Sequence, residues 1–123
     1  MSEEREPYQV PSSRGGNHSA SHSELLATCE SFLRWHGGHP LRLPGNAMMR
    51  RGSPDIVCCL RGRFIALDAK TGKAVMDENQ ERERAAYERA GGLFVVVRSP
   101  EDLEDALMAA GLVEATIQRG GTR

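Results

Sequence analysis

The chain has 123 residues, 39% of them apolar, which supplies one compact domain with a single modest core and not two. Aromatic residues are few, at 5%, while there are 13 glycines and 27% of residues are charged, a balance that fits an α/β domain with tight turns better than an aromatic-rich sandwich. No apolar run approaches membrane-spanning length, and the opening MSEEREPYQVPSSRGGNHSASHS has neither an apolar stretch nor a basic start, so a cytoplasmic chain without membrane attachment is expected.

Residues 1–20 combine Ser, Gly, Pro and Glu with almost no apolar content and are expected to be a flexible tail, because they cannot bury enough surface to offset ordering entropy. Ser21-His22-Ser23-Glu24 reads as a capping box, followed by Leu25, Cys29, Phe32 and Leu33 at helical spacing and a stop at Gly37-Gly38. From His39 to Ser53 the turn signals Pro40, Pro44-Gly45 and Gly52 predict a loop, or a short strand and a loop. Asp55 to Leu60 and Arg63 to Lys70, joined at Arg61-Gly62, predict a β-hairpin. Asp77 to Gln80 is a second capping box, opening a charged helix through Ala90. Leu93 to Arg98 predicts a buried strand, joined to the hairpin sheet by a crossover, and Ser99-Pro100-Glu101-Asp102 predicts the start of a last helix ending near Gly111. One domain over residues 21–118 with a flexible end at 119–123 is the expected organisation.

Three cysteines, two of them adjacent, make neither a disulfide framework nor the paired spacing of a zinc site, and are read as reduced core residues. His18 and His22 are assigned to the tail, and His36 and His39 to a solvated loop, so a metal site with Cys29 is not expected. Charge is unevenly placed: between Arg34 and Lys73 eight basic residues face two aspartates, a net +6, while the whole chain carries −1 and the remainder therefore −7. A basic centre in an acidic chain fits a phosphate-binding face, although ordinary surface lysine and arginine give the same count.

Those two aspartates raise the chemical question. If Arg61-Gly62 is a two-residue turn, paired residues have numbers summing to 123, so Leu60 faces Arg63, Cys58 faces Ile65 and Asp55 faces Asp68. Two carboxylates about 5 Å apart at an effective dielectric near 20 repel by about 3 kcal/mol, a cost that calls for a compensating function. Lys70, two residues beyond Asp68, lies on the same face. Two carboxylates suit a hard cation that keeps several waters, and a neighbouring lysine can position or deprotonate a water or neutralise a phosphate. The residues alone leave a second reading open, in which Lys70 is an ion-pair partner of Asp68 and Asp55 simply starts a strand after Pro54.

Pro54-Asp55, then Asp68-Ala69-Lys70, resembles the PD-(D/E)xK nuclease signature. With Gly52-Ser53, the Gly62-Arg63-Phe64 turn, Thr71-Gly72, Gln80, and Gly91 to Val97 followed by Ser99-Pro100-Glu101-Asp102, residues 21–107 are similar to the VRR-NUC branch, especially its stand-alone phage and bacterial members. The resemblance implies a restriction-endonuclease-like α/β fold with an αβββαβ core, a mixed sheet flanked by helices. It also implies Mg²⁺ or Mn²⁺, phosphodiester hydrolysis in branched DNA such as Holliday junctions, and a homodimer. Carried over by position, Asp55, Asp68, the Ala69 carbonyl and Glu24 would hold metal, with Glu30 as the alternative to Glu24. Lys70 would be the catalytic lysine and Gln80 a further active-site residue. Glu24 and Gln80 are also the third residues of capping boxes, so a purely structural role stays open for both. The family usually has glutamate where this chain has Asp68, which bears on rate and metal preference. A nuclease-fold module that binds DNA without cutting it, and a small interaction protein with an acidic C-terminal half, are the competing readings. Arg50, Arg51 and Lys73 are expected to touch phosphates, so replacing all three with alanine should weaken binding to every DNA sequence about equally and flatten the salt dependence, measured by titration across salt concentrations.

Overall fold

The computed structural model describes residues 21–45 and 49–119. The expected tail at 1–20, with His18, lies outside the described residues, as do residues 120–123 of the expected C-terminal end. Among the described residues three helices and four strands follow in the order α1 (His22–Trp35), β1 (His39–Arg42), β2 (Ile56–Leu60), β3 (Arg63–Ala69), α2 (Glu78–Arg89), β4 (Leu93–Val97) and α3 (Pro100–Ala109). This is the expected αβββαβ sequence with one further helix. Among the described residues no helix is long and apolar enough to cross a membrane.

Each helix starts where its capping chemistry predicts. Ser21 Oγ accepts from Glu24 N while Glu24 Oε1 accepts from Ser21 N, and the Asp77–Gln80 pair does the same for α2. Ser99 caps α3, with Pro100 at its first turn. The hairpin turn has φ of 53° at Arg61 and 79° at Gly62. Positive φ at both central residues defines a type I′ turn, whose twist matches the strands, and it sets the register at Leu60 with Arg63, Cys58 with Ile65 and Ile56 with Leu67.

The sheet runs β1-β2-β3-β4, antiparallel except for the parallel pair of β3 and β4. Alternation gives it two unlike faces. Ile56, Cys58, Leu60, Ile65, Leu67, Val95 and Val97 form the main core with Leu25, Cys29, Phe32 and Leu33 of α1 and Leu103 and Leu107 of α3. Each fully buried large aliphatic side chain there stabilises the fold by about 1.5–3 kcal/mol. The opposite face carries Phe64, Ala66 and Asp68 of β3 and Phe94 of β4, and α2 lies over it: Tyr87 stacks on Phe64 with centroids 5.5 Å apart and sits 6.0 Å from Phe94. No residue of α2 is buried. The helix is a charged platform on the second face rather than part of the core.

Several sequence expectations are corrected. Cys29 and Cys58 are buried, but Cys59 faces outward and is exposed, because strand alternation sends adjacent residues to opposite faces. His22 belongs to α1 and not to a tail, and His39 lies in β1. His36 Nε2 is 3.1 Å from Thr116 Oγ1, which ties it to the C-terminal segment.

That segment returns to α3 through a buried anchor. Glu104, fully buried, accepts from Thr116 N at 2.6 Å, Ile117 N at 2.7 Å and Arg119 at 2.6 Å. Burial alone would disfavour its charge, but the backbone N–H groups of Thr116 and Ile117 and the Arg119 guanidinium outweigh it and hold the carboxyl below its usual range. A lowered folded value favours the folded state at neutral pH, and this contribution is lost as pH falls below the ordinary carboxylate range. Glu104→Gln should therefore cost about 2–3 kcal/mol at pH 7, with the gap to wild type closing in acid, as read by chemical denaturation at a series of pH values.

Candidate active site

The local sequence explains how two carboxylates come to share one place. Extending the hairpin register beyond Ile56 and Leu67 would pair Asp55 with Asp68 and then Pro54 with Ala69. Proline has no N–H to give, and the ladder ends here. Asp55 N still donates to Leu67 O at 2.9 Å, but Ala69 N donates to the Asp55 side chain, at 2.9 Å from Oδ2. A carboxylate has taken the place of the next backbone carbonyl. The two polar groups of a strand residue point to the same side, so the Ala69 carbonyl also faces the end of β2.

Asp68 sits on the inner strand β3 and is buried, with 2% of its surface exposed. Its Oδ2 is paired with the Lys70 ammonium, 3.0 Å from Nζ, and has no second donor among the described residues. Burial pushes the Asp68 carboxyl up to about 6; the Lys70 ammonium pulls it down and the Asp55 carboxylate beside it pushes it further up. Burial and Asp55 together win. Lys70 is itself nearly enclosed, and its Nζ also donates to Gln80 Oε1 at 2.9 Å. Gln80 thus does two things at once, closing the α2 capping box and holding the lysine.

Two neighbours fix α2 and its approach. Gly52, at φ 84°, lets the 49–55 loop pass against the first turn of α2: a Cβ there would lie 2.5 Å from Asn79 O and 2.9 Å from Gln80 N. Arg98 donates to Gly72 O and Ala74 O, holding the loop between β3 and α2 against the end of β4.

The structure brings Asp55, Asp68, Ala69, Lys70 and Gln80 together. Glu24 is exposed, with its carboxylate in the α1 capping box. Glu30 accepts from Arg42 at 2.6 Å. Arg50 forms an ion pair with Glu83 of α2 at 3.0 Å while most of its side chain stays exposed, and Arg51 and Lys73 are exposed. The central excess of positive charge is partly spent within the fold, since Arg42, Arg50 and Lys70 all have carboxylate partners. His22 is the site neighbour that sequence reading missed: its Nε2 is 3.2 Å from Asp55 Oδ2 across 33 residues of chain. The capping box placed it at the start of α1, but only the packing of α1 on the sheet shows what it meets.

Among the described residues a groove of about 380 Å³ opens beside Asp55, lined by Leu43, Met49, Arg50 and Arg51. A larger depression, about 780 Å³, lies by Trp35, His36, Arg61 and Leu112 at the hairpin-turn end of the sheet and contains none of Asp55, Asp68 and Lys70. The smaller groove is the one that reaches a carboxylate of the pair, through Asp55, while Asp68 and Lys70 line neither. No group of three or more His, Cys, Asp or Glu side chains in metal-binding arrangement occurs among the described residues. Two carboxylates, one of them buried and partnered at its Oδ2 by the Lys70 ammonium alone, and a backbone carbonyl still form an all-oxygen donor set, which suits a hard divalent cation that keeps several waters.

A solved structure described as a VRR_NUC domain is similar to this chain, with a TM-score of 0.60 and 22% identity, over 72% of this chain and 94% of that one. No family model matches the chain, and no curated protein does. The chain has the fold of a VRR_NUC domain, a restriction-endonuclease-like α/β architecture, as the motif resemblance implied.

A raised folded value for Asp68 means that the folded chain binds its proton more tightly than the unfolded chain, so this residue lowers stability as pH rises from the ordinary carboxylate range through about 6. The groups facing it are Asp55 and Lys70, with Gln80 and His22 one contact further away. In a chelator at pH 7–8, Asp68→Asn should raise the stability of the protein by on the order of 1–2 kcal/mol, with the gain disappearing below pH 4. A lower melting point than wild type at pH 8 would show that pairing with Lys70 outweighs burial and the Asp55 repulsion.

Proposed function

We propose that this chain is a metal-dependent endonuclease that hydrolyses phosphodiester bonds in DNA, selective for branched or junction structures and acting as a homodimer. The carrying observation is the buried Asp68 carboxylate, whose Oδ2 meets only the Lys70 ammonium, beside Asp55 and with that lysine held in place by Gln80. A carboxylate pair this costly is hard to account for as scaffolding alone.

Asp55, Asp68 and the Ala69 carbonyl would hold Mg²⁺ or Mn²⁺. Such an ion, when bound, polarises a phosphoryl oxygen and lowers the pKa of a coordinated water. The remaining work falls to the chain. An ammonium has three N–H donors. Lys70 directs one to Gln80 and one side toward Asp68, which leaves a donor for a phosphate oxygen or the attacking water. Its charge offsets the negative charge that develops on the phosphoryl group. Gln80 fixes the reach of the ammonium, so the lysine need not be ordered when the substrate arrives. Arg51, Lys73 and the outer part of Arg50 are exposed cations that can follow a phosphate backbone, which positions DNA without reading its sequence. A two-fold dimer is the simplest assembly for a chain of this size on a symmetric junction.

The test uses labelled duplex, nicked, flapped and four-way junction DNA with Mg²⁺, Mn²⁺ or EDTA. Cleavage that needs the metal and favours branched substrates is the expected result; binding without cleavage in either metal would make the chain a DNA-binding module on a nuclease fold. Lys70→Ala should reduce cleavage in Mg²⁺ by about 10²-fold or more while leaving DNA binding in Ca²⁺ nearly intact. Unchanged turnover would reduce Lys70 to an ion-pair partner.

A further inference from the structure

We infer that helix α1 acts on this site through His22, a positioning residue that holds the Asp55 carboxylate by one oxygen and leaves the other for a divalent cation. The inference rests on the metal-dependent reading above. His22 Nε2 is 3.2 Å from Asp55 Oδ2, and the same oxygen accepts from Ala69 N at 2.9 Å. An ionised carboxylate only accepts hydrogen bonds, so Nε2 carries the hydrogen, as it does in the imidazolium and in one neutral tautomer. Two donors from different elements, α1 and β3, therefore meet on Oδ2. Asp55 Oδ1 has no hydrogen-bond donor among the described residues.

An aspartate at the end of a ladder, held by the single N–H of Ala69, can still swing about that hydrogen bond. Fixing one oxygen orders the other, which is the role that residues behind the ligands of metal sites commonly play. An ordinary surface ion pair would have both partners in water and contribute little. Here Asp55 is only 25% exposed and already anchored to the backbone, while His22, 48% exposed, reaches it from the outer side. The capping box at Ser21 sets the first turn of α1, so the ring is presented from a defined helix start and not from a mobile segment.

The experiment measures Mn²⁺ affinity of the full chain by calorimetry at constant pH for wild type, His22→Ala and His22→Gln, with melting in EDTA to check that each variant is folded. His22→Ala should weaken Mn²⁺ binding by about 10-fold or more, the usual scale for losing a residue that orients a ligand, and His22→Gln, which keeps a side-chain N–H at similar reach, should recover most of that loss. Equal affinity in wild type and His22→Ala would overturn the inference. So would nitrogen hyperfine coupling in pulsed EPR of the Mn²⁺-loaded wild type, because it would put the ring on the metal instead of behind Asp55. A wild type that binds no Mn²⁺ overturns both the inference and the metal-dependent reading, whereas one that binds Mn²⁺ and cleaves DNA but tolerates His22→Ala overturns the inference alone.

Discussion

A carboxylate on an inner strand of a four-stranded sheet, buried with one ammonium as the partner of its Oδ2, is the constraint around which the rest of this molecule is arranged. Asp68 is flanked along β3 by Ala66, Leu67 and Ala69, all buried, in a strand that reads as a core element on both faces. Removing such a group from water costs several kcal/mol unless it is paired and hydrogen-bonded. Lys70 supplies an opposite charge at 3.0 Å, but Asp55 supplies a like charge on the other side, and the net result still disfavours ionisation.

The surrounding architecture keeps that arrangement in place. Pro54 ends the ladder between β2 and β3, so the Asp55 side chain takes the N–H that a further residue of the strand would have paired. Gly52 brings the preceding loop against the first turn of α2, and that turn carries Gln80 to Lys70. With no buried residue of its own, α2 depends on these contacts and on the Phe64, Tyr87 and Phe94 cluster for its place on the sheet. Stability and chemistry are thus largely divided: α1 and α3 build the core on one face and α2 lies on the other with Asp68, while Asp55, at the end of β2, is met by His22 of α1.

The C-terminal segment shows how differently the same chain treats another buried acid. Glu104 is as enclosed as Asp68, but it meets two backbone N–H groups and an arginine, and its charge is favoured. One acid is satisfied and closes the fold behind α3. The other meets one ammonium and lies beside a second carboxylate, and its charge is disfavoured.

Local signals determined much of this protein by themselves. The two capping boxes, the Ser99-Pro100 start and the Arg61-Gly62 turn set every helix start and the hairpin register, because each is decided by residues within four positions of one another. The register in turn made Asp55, Asp68 and Lys70 legible as neighbours, since a two-residue turn leaves no freedom in pairing. Tertiary packing decided the rest. It sent Cys59 to the outside, spent Arg42 and Arg50 on carboxylates of other elements, and gave Gln80 a second partner in Lys70. It also set His22 against Asp55, a contact across 33 residues, and clamped residues 116–119 to Glu104. Such contacts depend on how helices lie on the sheet, which follows from the packing of all the buried side chains together and is not encoded in any short stretch of the chain.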